Sequence, residues 1–323
     1  MKILVTGAAG FIGYHTSLYL CKLGYIVIGI DNLNNYYDLN LKKSRLSKLN
    51  KFSNFIFYKI DISHAELVSK IFQLESFDLV IHLAAQAGVQ YSINNPKAYV
   101  DSNLYGFFNI INECVKNNVR RIIYASSSSV YGSNKKIPFS EKDKCSSPIS
   151  FYAATKISNE IMAKSFSETH DIQTTGLRFF TVYGPYGRPD MSPFIFADSI
   201  IKEKTINIFN NGMLRRDFTY IDDAVKAIIL VSNLVNTKKV IFKKAAVYNV
   251  GSGSPIQIMT FLNLFEKTLN KTAKKKFLPI LKGDLTDTFA DISLIQKDYN
   301  FSPKTNIKKG VSKFIMWYKK YYT

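Results

Sequence analysis

Cysteine is scarce. Cys21, Cys114 and Cys145 are three in 323 residues, none in C-x-x-C spacing, which excludes a disulfide framework and a cysteine-built zinc site, so no metal is expected. Nine prolines and 16 glycines are too few for a fibrous or low-complexity chain. No run of about 18 apolar residues exists to span a bilayer. The opening segment Met1–Gly7 runs straight into a strand-like pattern, without a basic stretch, an apolar core and a small-residue cleavage site. A reducing cytoplasm is the expected location. Arginine is also rare: seven against 36 lysines, although the formal charge is +19. From Lys226 onward there are 18 lysines, no arginine and five acids, a net +13 that leaves +6 for everything before it. Phosphate and base recognition draws on arginine forks in ordered patches, so these dispersed lysines do not imply a specific nucleic-acid partner.

What is present is a chain with 46% hydrophobic residues, enough for a sizeable core in roughly two domains. Residues 1 to 31 read as strand, glycine turn, helix and strand. The alternation continues through FIFYKID (55 to 61), a helix from Ala65, DLVIHLA (78 to 84), a helix near 99 to 117 and RRIIYASS (120 to 127). Strands that are continuous apolar runs, separated by helices, predict an α/β fold with a doubly wound parallel sheet of the Rossmann type. After about residue 178 the pattern loosens around Pro185, Pro189 and Pro193, while AAVYNVG (245 to 251) is again strand-like. The expected division is a nucleotide-binding domain over 1–178, rejoined around 215–250, and a smaller lobe from 179–214 and 251–323.

Two motifs carry chemistry. Gly7, Gly10 and Gly13 stand in G-x-x-G-x-x-G spacing around Phe11 and Ile12, between a strand and a helix. That arrangement lets backbone approach a pyrophosphate, and the helix N-terminus offers the same anion free N–H groups and partial positive charge. Asp31 ends the second strand 18 residues after Gly13, where a carboxylate accepts hydrogen bonds from an adenosine ribose and repels a 2′-phosphate. NAD rather than NADP is predicted. The second motif, Tyr152-Ala-Ala-Thr-Lys156, places phenol and ammonium on one helix face at i, i+4. A cation near a phenol favours the phenolate needed of a general base. Upstream, Ser126 to Ser129 close a predicted strand, where loops of open sheets carry active sites.

Glycine turn, Asp31, strand-end serines and Tyr152/Lys156 in this order resemble the extended short-chain dehydrogenase/reductase family over nearly the whole chain. Four further segments narrow the resemblance to nucleotide-sugar epimerases, UDP-glucuronate 4-epimerases above all. They are Asn32 to Asp38 (NLNNYYD), His82 to Gly88 (HLAAQAG), Arg178 to Met191 (RFFTVYGPYGRPDM) and Arg216 to Asp223 (RDFTYIDD). The resemblance implies Ser127 as catalytic hydroxyl, with Tyr152 as base and Lys156 as orienter. It puts Asn32, Asp61, Ile62, Ala84, Ala85 and Asn103 along the cofactor. It assigns Ser127, Ser128, Thr181, Arg188, Arg216 and Asp284 to a UDP-sugar. Leu281 departs from the pattern, standing where relatives present a polar ligand to the nucleotide. Related dehydratases place an Asp-Glu pair directly after the catalytic hydroxyl, and related decarboxylases a Glu just before Val-Tyr-Gly. Here Ser128 and Ser129 follow, so C4 epimerisation through a 4-keto sugar is expected, with UDP-glucuronate first and UDP-N-acetylglucosamine or UDP-glucose as the alternative. A homodimer is also implied, packed through the helix near 99–117 and the one carrying Tyr152.

Overall fold

The computed structural model describes residues 1–234, 243–281 and 285–323. The first half alternates strands and helices: β1 (Lys2–Thr6), α1 (Phe11–Lys22), β2 (Ile26–Asp31), α2 (Leu39–Leu49), β3 (Phe55–Lys59), α3 (Ala65–Leu74), β4 (Leu79–His82), α4 (Val89–Asn94), α5 (Pro96–Tyr99), a wide turn at Val100–Tyr105, α6 (Gly106–Lys116), β5 (Arg121–Ser127), α7 (Phe151–Thr169) and β6 (Gln173–Phe179). There follow β7 (Thr181–Tyr183), α8 (Ser192–Ile201), β8 (Thr205–Phe209), β9 (Arg215–Arg216), β10 (Phe218–Tyr220), α9 (Ile221–Val231), β11 (Ala245–Val250), β12 (Ile256–Gln257), α10 (Ile258–Leu269), β13 (Lys274–Leu278), α11 (Ser293–Tyr299) and α12 (Ile307–Tyr322).

Seven strands form one parallel sheet in the order β11-β6-β5-β4-β1-β2-β3. The reason is legible in the strands themselves. Ile3, Leu4, Val5, Val80, Ile81, Ile122 and Ile123 are all fully buried, and a strand apolar on both faces needs helices on both faces. Each such side chain contributes about 1.5–3 kcal/mol by leaving water. The strand order reverses between β1 and β4, which opens a crevice at their carboxyl ends. The three remaining strand pairs, β7 with β10, β8 with β13 and β9 with β12, lie outside the large sheet. Among the described residues no helix is long and apolar enough to cross a membrane, and no three metal-ligating side chains converge.

Candidate active site

The crevice is a cleft of about 480 Å³. Gly7, Gly10, Phe11, Ile12, Gly13, Asp31, Asn32, Ile62, Ala84 and Ala85 line one part of it, and Ser127, Ser128, Tyr152, Lys156, Thr181, Arg188 and Arg216 the rest. At the switch point Gly7 has φ +70°, and a Cβ there would lie 2.8 Å from the Ala84 nitrogen. A Cβ on Gly13 would lie 2.0 Å from the Gly7 carbonyl oxygen, so only glycine lets α1 begin this close to β1. Thr6 holds β4 in place from the other side. Its hydroxyl accepts from the Leu83 and Ala84 N–H groups at 3.1 and 3.0 Å and pairs with His82 Nδ1 at 2.8 Å.

The glycine turn fits a pyrophosphate. Gly10 precedes α1 without any side-chain cap, so the first N–H groups of the helix face the cleft unsupplied by side chains. Asp31 fits a ribose: Oδ1 accepts from Leu33 N at 2.8 Å and Oδ2 from Ala9 N at 3.2 Å, leaving lone pairs for a diol. Burial raises its carboxyl above the ordinary range, opposed by Lys42 and by the two N–H groups.

Two cofactor-side positions support the cleft from behind. Asp61 lies outside its lining, accepting from Asn32 Nδ2 at 2.8 Å and from the Ser63 N–H and hydroxyl at 2.9 and 2.7 Å. Buried Asn103 exchanges hydrogen bonds with the Gln86 backbone, 2.8 Å from its N–H and 3.1 Å to its carbonyl, and donates to the Thr155 hydroxyl at 3.0 Å. It fixes the loop after β4. Asp284 lies outside the described residues, and its described neighbours Leu285 and Thr288 line the cleft.

The strand-end serines separate cleanly. Ser126 Oγ donates to Glu160 Oε1 at 2.6 Å, and Glu160 is held in a two-pronged pair by Arg178, Nε at 2.9 Å and Nη2 at 2.7 Å. Ser127, the next residue on the pleat, lies beside Tyr152 in the cleft instead and lowers its phenol, while its Oγ accepts from the Ser129 N–H at 3.2 Å. Tyr152 sits on α7, which Ser150 caps by accepting from Ala153 N at 3.1 Å. Burial raises its phenol, while Ser127 and then the Arg188 charge pull it back. Lys156 shares the helix face but donates Nζ to the Ala125 carbonyl at 2.8 Å. Burial brings its ammonium down to about 8, against the pull of Glu160.

Arg188 and Arg216 differ. Arg216 Nη1 donates to the carbonyls of Arg215 and Thr286 at 3.0 and 3.1 Å. Arg188 pairs with Asp190 through Nε at 3.0 Å and Nη2 at 2.5 Å and lies over the Tyr36 ring at 5.8 Å. Tyr36, Asp190, Glu160 and Thr6 had no assigned role from sequence. Tyr36 and Asp190 stand inside quoted motifs, and Glu160 continues the spacing of Tyr152 and Lys156 at i+8.

A switch-point cleft with a glycine cradle on one side and Ser127, Tyr152 and Lys156 on the other defines an enzyme of the short-chain dehydrogenase/reductase type. The chain belongs to the NAD dependent epimerase/dehydratase family, whose model matches residues 3–251. It is 46% identical to Protein CapI of Staphylococcus aureus over 100% of this chain and 99% of that protein. UDP-glucuronate 4-epimerase 4 of Arabidopsis thaliana is 45% identical over 100% of this chain and 76% of its own length. The solved UDP-glucuronic acid 4-epimerase of Bacillus cereus, in complex with UDP-glucuronic acid and NAD, superposes with a TM-score of 0.93 at 35% identity over the whole of both chains.

Proposed function

We propose that the protein interconverts UDP-glucuronate and UDP-galacturonate by epimerisation at C4. The observation that carries this reading is the guanidinium of Arg188 in the same cleft as the Ser127–Tyr152 pair, in a chain similar to UDP-glucuronate 4-epimerases over its full length. NAD, held along Gly7 to Gly13 and Asp31, supplies a reversible hydride acceptor when bound. Tyr152 takes the proton of the sugar O4 and returns it, with Ser127 bridging phenol and hydroxyl. Ser128 and Ser129 line the cleft beyond Ser127 and offer no base for a C5 proton, so elimination is not expected. Arg216 and Asp284 belong in this reading to the UDP, Thr181 and Ser128 to the sugar, and Asp61 and Asn103 to the shell that steadies the cofactor loops.

In this reading 1–178 with the returning segment 215–250 form the dinucleotide-binding domain, and 179–214 and 251–323 the nucleotide-sugar lobe, with Arg216 reaching the UDP from the returning segment. A homodimer through α6 and α7 belongs to the same reading, because Tyr105, Phe108 and Ile161 expose 61, 43 and 64% of their surface, apolar area that a twofold copy would cover. Light scattering at micromolar concentration reads this directly. A cytoplasmic enzyme feeding polysaccharide synthesis is consistent with a nucleotide-sugar substrate.

The deciding experiment compares kcat/KM for UDP-glucuronate, UDP-glucose and UDP-N-acetylglucosamine. The charged sugar is expected to win. Arg188→Ala should cost it about 10- to 150-fold, the worth of one charge-assisted contact, and cost neutral sugars far less. A wild-type preference for a neutral sugar overturns the hexuronate reading, and an equal loss for all three sugars moves Arg188 to the diphosphate.

A further inference from the structure

Three of the motifs that carry the family resemblance lie far apart in the chain: Asn32 to Asp38, His82 to Gly88 and the Arg178 to Met191 segment. The structure brings them to one point. Tyr36, from the first, donates its hydroxyl to Asp190 Oδ2 at 3.0 Å, and the same carboxylate takes both prongs of Arg188. Gly88, from the second, leaves the room: its φ is +103°, and a Cβ there would lie 2.4 Å from the Tyr36 hydroxyl. Tyr91 packs on the Tyr36 ring with centroids 4.8 Å apart.

We propose, building on the hexuronate reading above, that Tyr36 and Asp190 are positioning residues that aim Arg188 at the sugar's C6 carboxylate and so set the preference for a charged substrate. An arginine side chain has many rotamers, and fixing it before the substrate arrives lowers the entropy cost of the contact. The pair with Asp190 uses Nε and Nη2, so Nη1 lies outside it, on a residue that lines the cleft. Tyr36 occupies one of the carboxylate's remaining lone pairs, which keeps Asp190 from turning toward the incoming anion. Arg188 together with the Tyr36 hydrogen bond holds the Asp190 carboxyl below its ordinary range despite burial, so the clamp stays charged at neutral pH.

Tyr36 is itself held from the cofactor side. Asp31 accepts from Leu33 N at 2.8 Å, Asn32 from Asn34 N at 3.0 Å and Asn34 from Tyr36 N at 3.4 Å, while Lys42 donates to the Asn34 side chain at 2.7 Å. The segment that begins at the ribose carboxylate therefore ends at the brace of the arginine.

The test is Tyr36→Phe in the NAD-loaded enzyme, a change that removes one hydroxyl and keeps the ring. With UDP-glucuronate, kcat/KM should fall about tenfold, carried by KM, the loss expected when a hydrogen bond to a charged group disappears. With UDP-glucose it should change less than about twofold, and in an Arg188→Ala background Tyr36→Phe should change neither substrate by more than about that, because residues acting through one group are not additive. An equal loss for both sugars, a loss in kcat alone, or full additivity with Arg188→Ala overturns the proposal while leaving the hexuronate reading standing. A wild-type enzyme that prefers UDP-glucose overturns both.

Discussion

The two ends of the cleft are built from different materials. The end proposed for the cofactor is mostly backbone: the turn at Gly7 to Gly13, the uncapped start of α1 and the loop after β4, with Asp31 the main charged group. These parts sit at strand ends whose places are set by the parallel sheet, so they exist as soon as the sheet does. The end proposed for the sugar is mostly side chains drawn from β5, α7, β9 and the loop after β7, with the Arg188–Asp190 pair in it and the Arg178–Glu160 pair beside it. A backbone site is hard to alter without harming the fold. A side-chain site is retuned by single substitutions, which is how one fold serves many sugars.

The comparison breaks most sharply at Tyr152. Tyr152→Phe removes only the hydroxyl proposed to transfer the proton, and turnover should fall by about 10²- to 10⁴-fold while melting temperature and bound NAD stay as in wild type. Turnover near wild type would remove Tyr152 from the chemistry. At the cofactor end, Asp31→Ala should weaken NAD by about 10- to 100-fold and shrink the disadvantage of NADP, because ribose acceptor and repulsive charge vanish together. Titration of both dinucleotides measures it, and an unchanged preference places the ribose elsewhere.

The smallest effect is one of stability. Burial brings Lys156 down to about 8 from an ordinary 10.5, so between those values the unfolded chain holds more protons than the folded one. Stability therefore rises with pH across that window. The favourable share is complete above about pH 10.5 and is lost as pH falls through 8. At pH 7 the buried ammonium is thus a cost, offset partly by its bond to Ala125. Lys156→Met should abolish turnover and raise the melting temperature of the nucleotide-free protein by about 2–4 °C at pH 7, the equivalent of about 1 kcal/mol. The gain should shrink toward pH 10. Calorimetry at both pH values checks it, and a gain independent of pH would assign the effect to packing.

How much of this was legible before the structure follows the same line. The glycine spacing, Asp31 and the apolar strands are local patterns, and the switch-point crevice followed from them. The helix α2 was not visible as one, because its buried face includes Lys42 and Arg45, cations that spoil an apolar period. Arg45 is fully buried and donates to Ala9 O at 2.8 Å, to Tyr37 Oη and Tyr186 O at 2.6 Å. Its partners lie up to 141 positions away, and no periodicity encodes such a distance. The brace of Arg188 was hidden for the same reason. Asn103 was expected along the cofactor by resemblance alone, and its hydrogen bonds with Gln86, Thr155 and Asn159 join positions up to 56 residues apart that no local pattern links.

Four consecutive serines, Ser126 to Ser129, are chemically identical, yet β5 gives two of them unlike duties. Ser126 joins the Glu160 and Arg178 pair, and Ser127 meets the phenol of Tyr152. Only parity along the pleat tells them apart, since neighbouring side chains on a strand leave by opposite faces. A slip of one position anywhere between Arg121 and Ser127 would exchange the two duties without altering composition, turning the hydroxyl of the ion pair toward Tyr152 and the other toward Glu160. The serine run is thus an address written in odd and even numbers. An alignment of letters reads such a run with equal ease in several frames, while the strand accepts one.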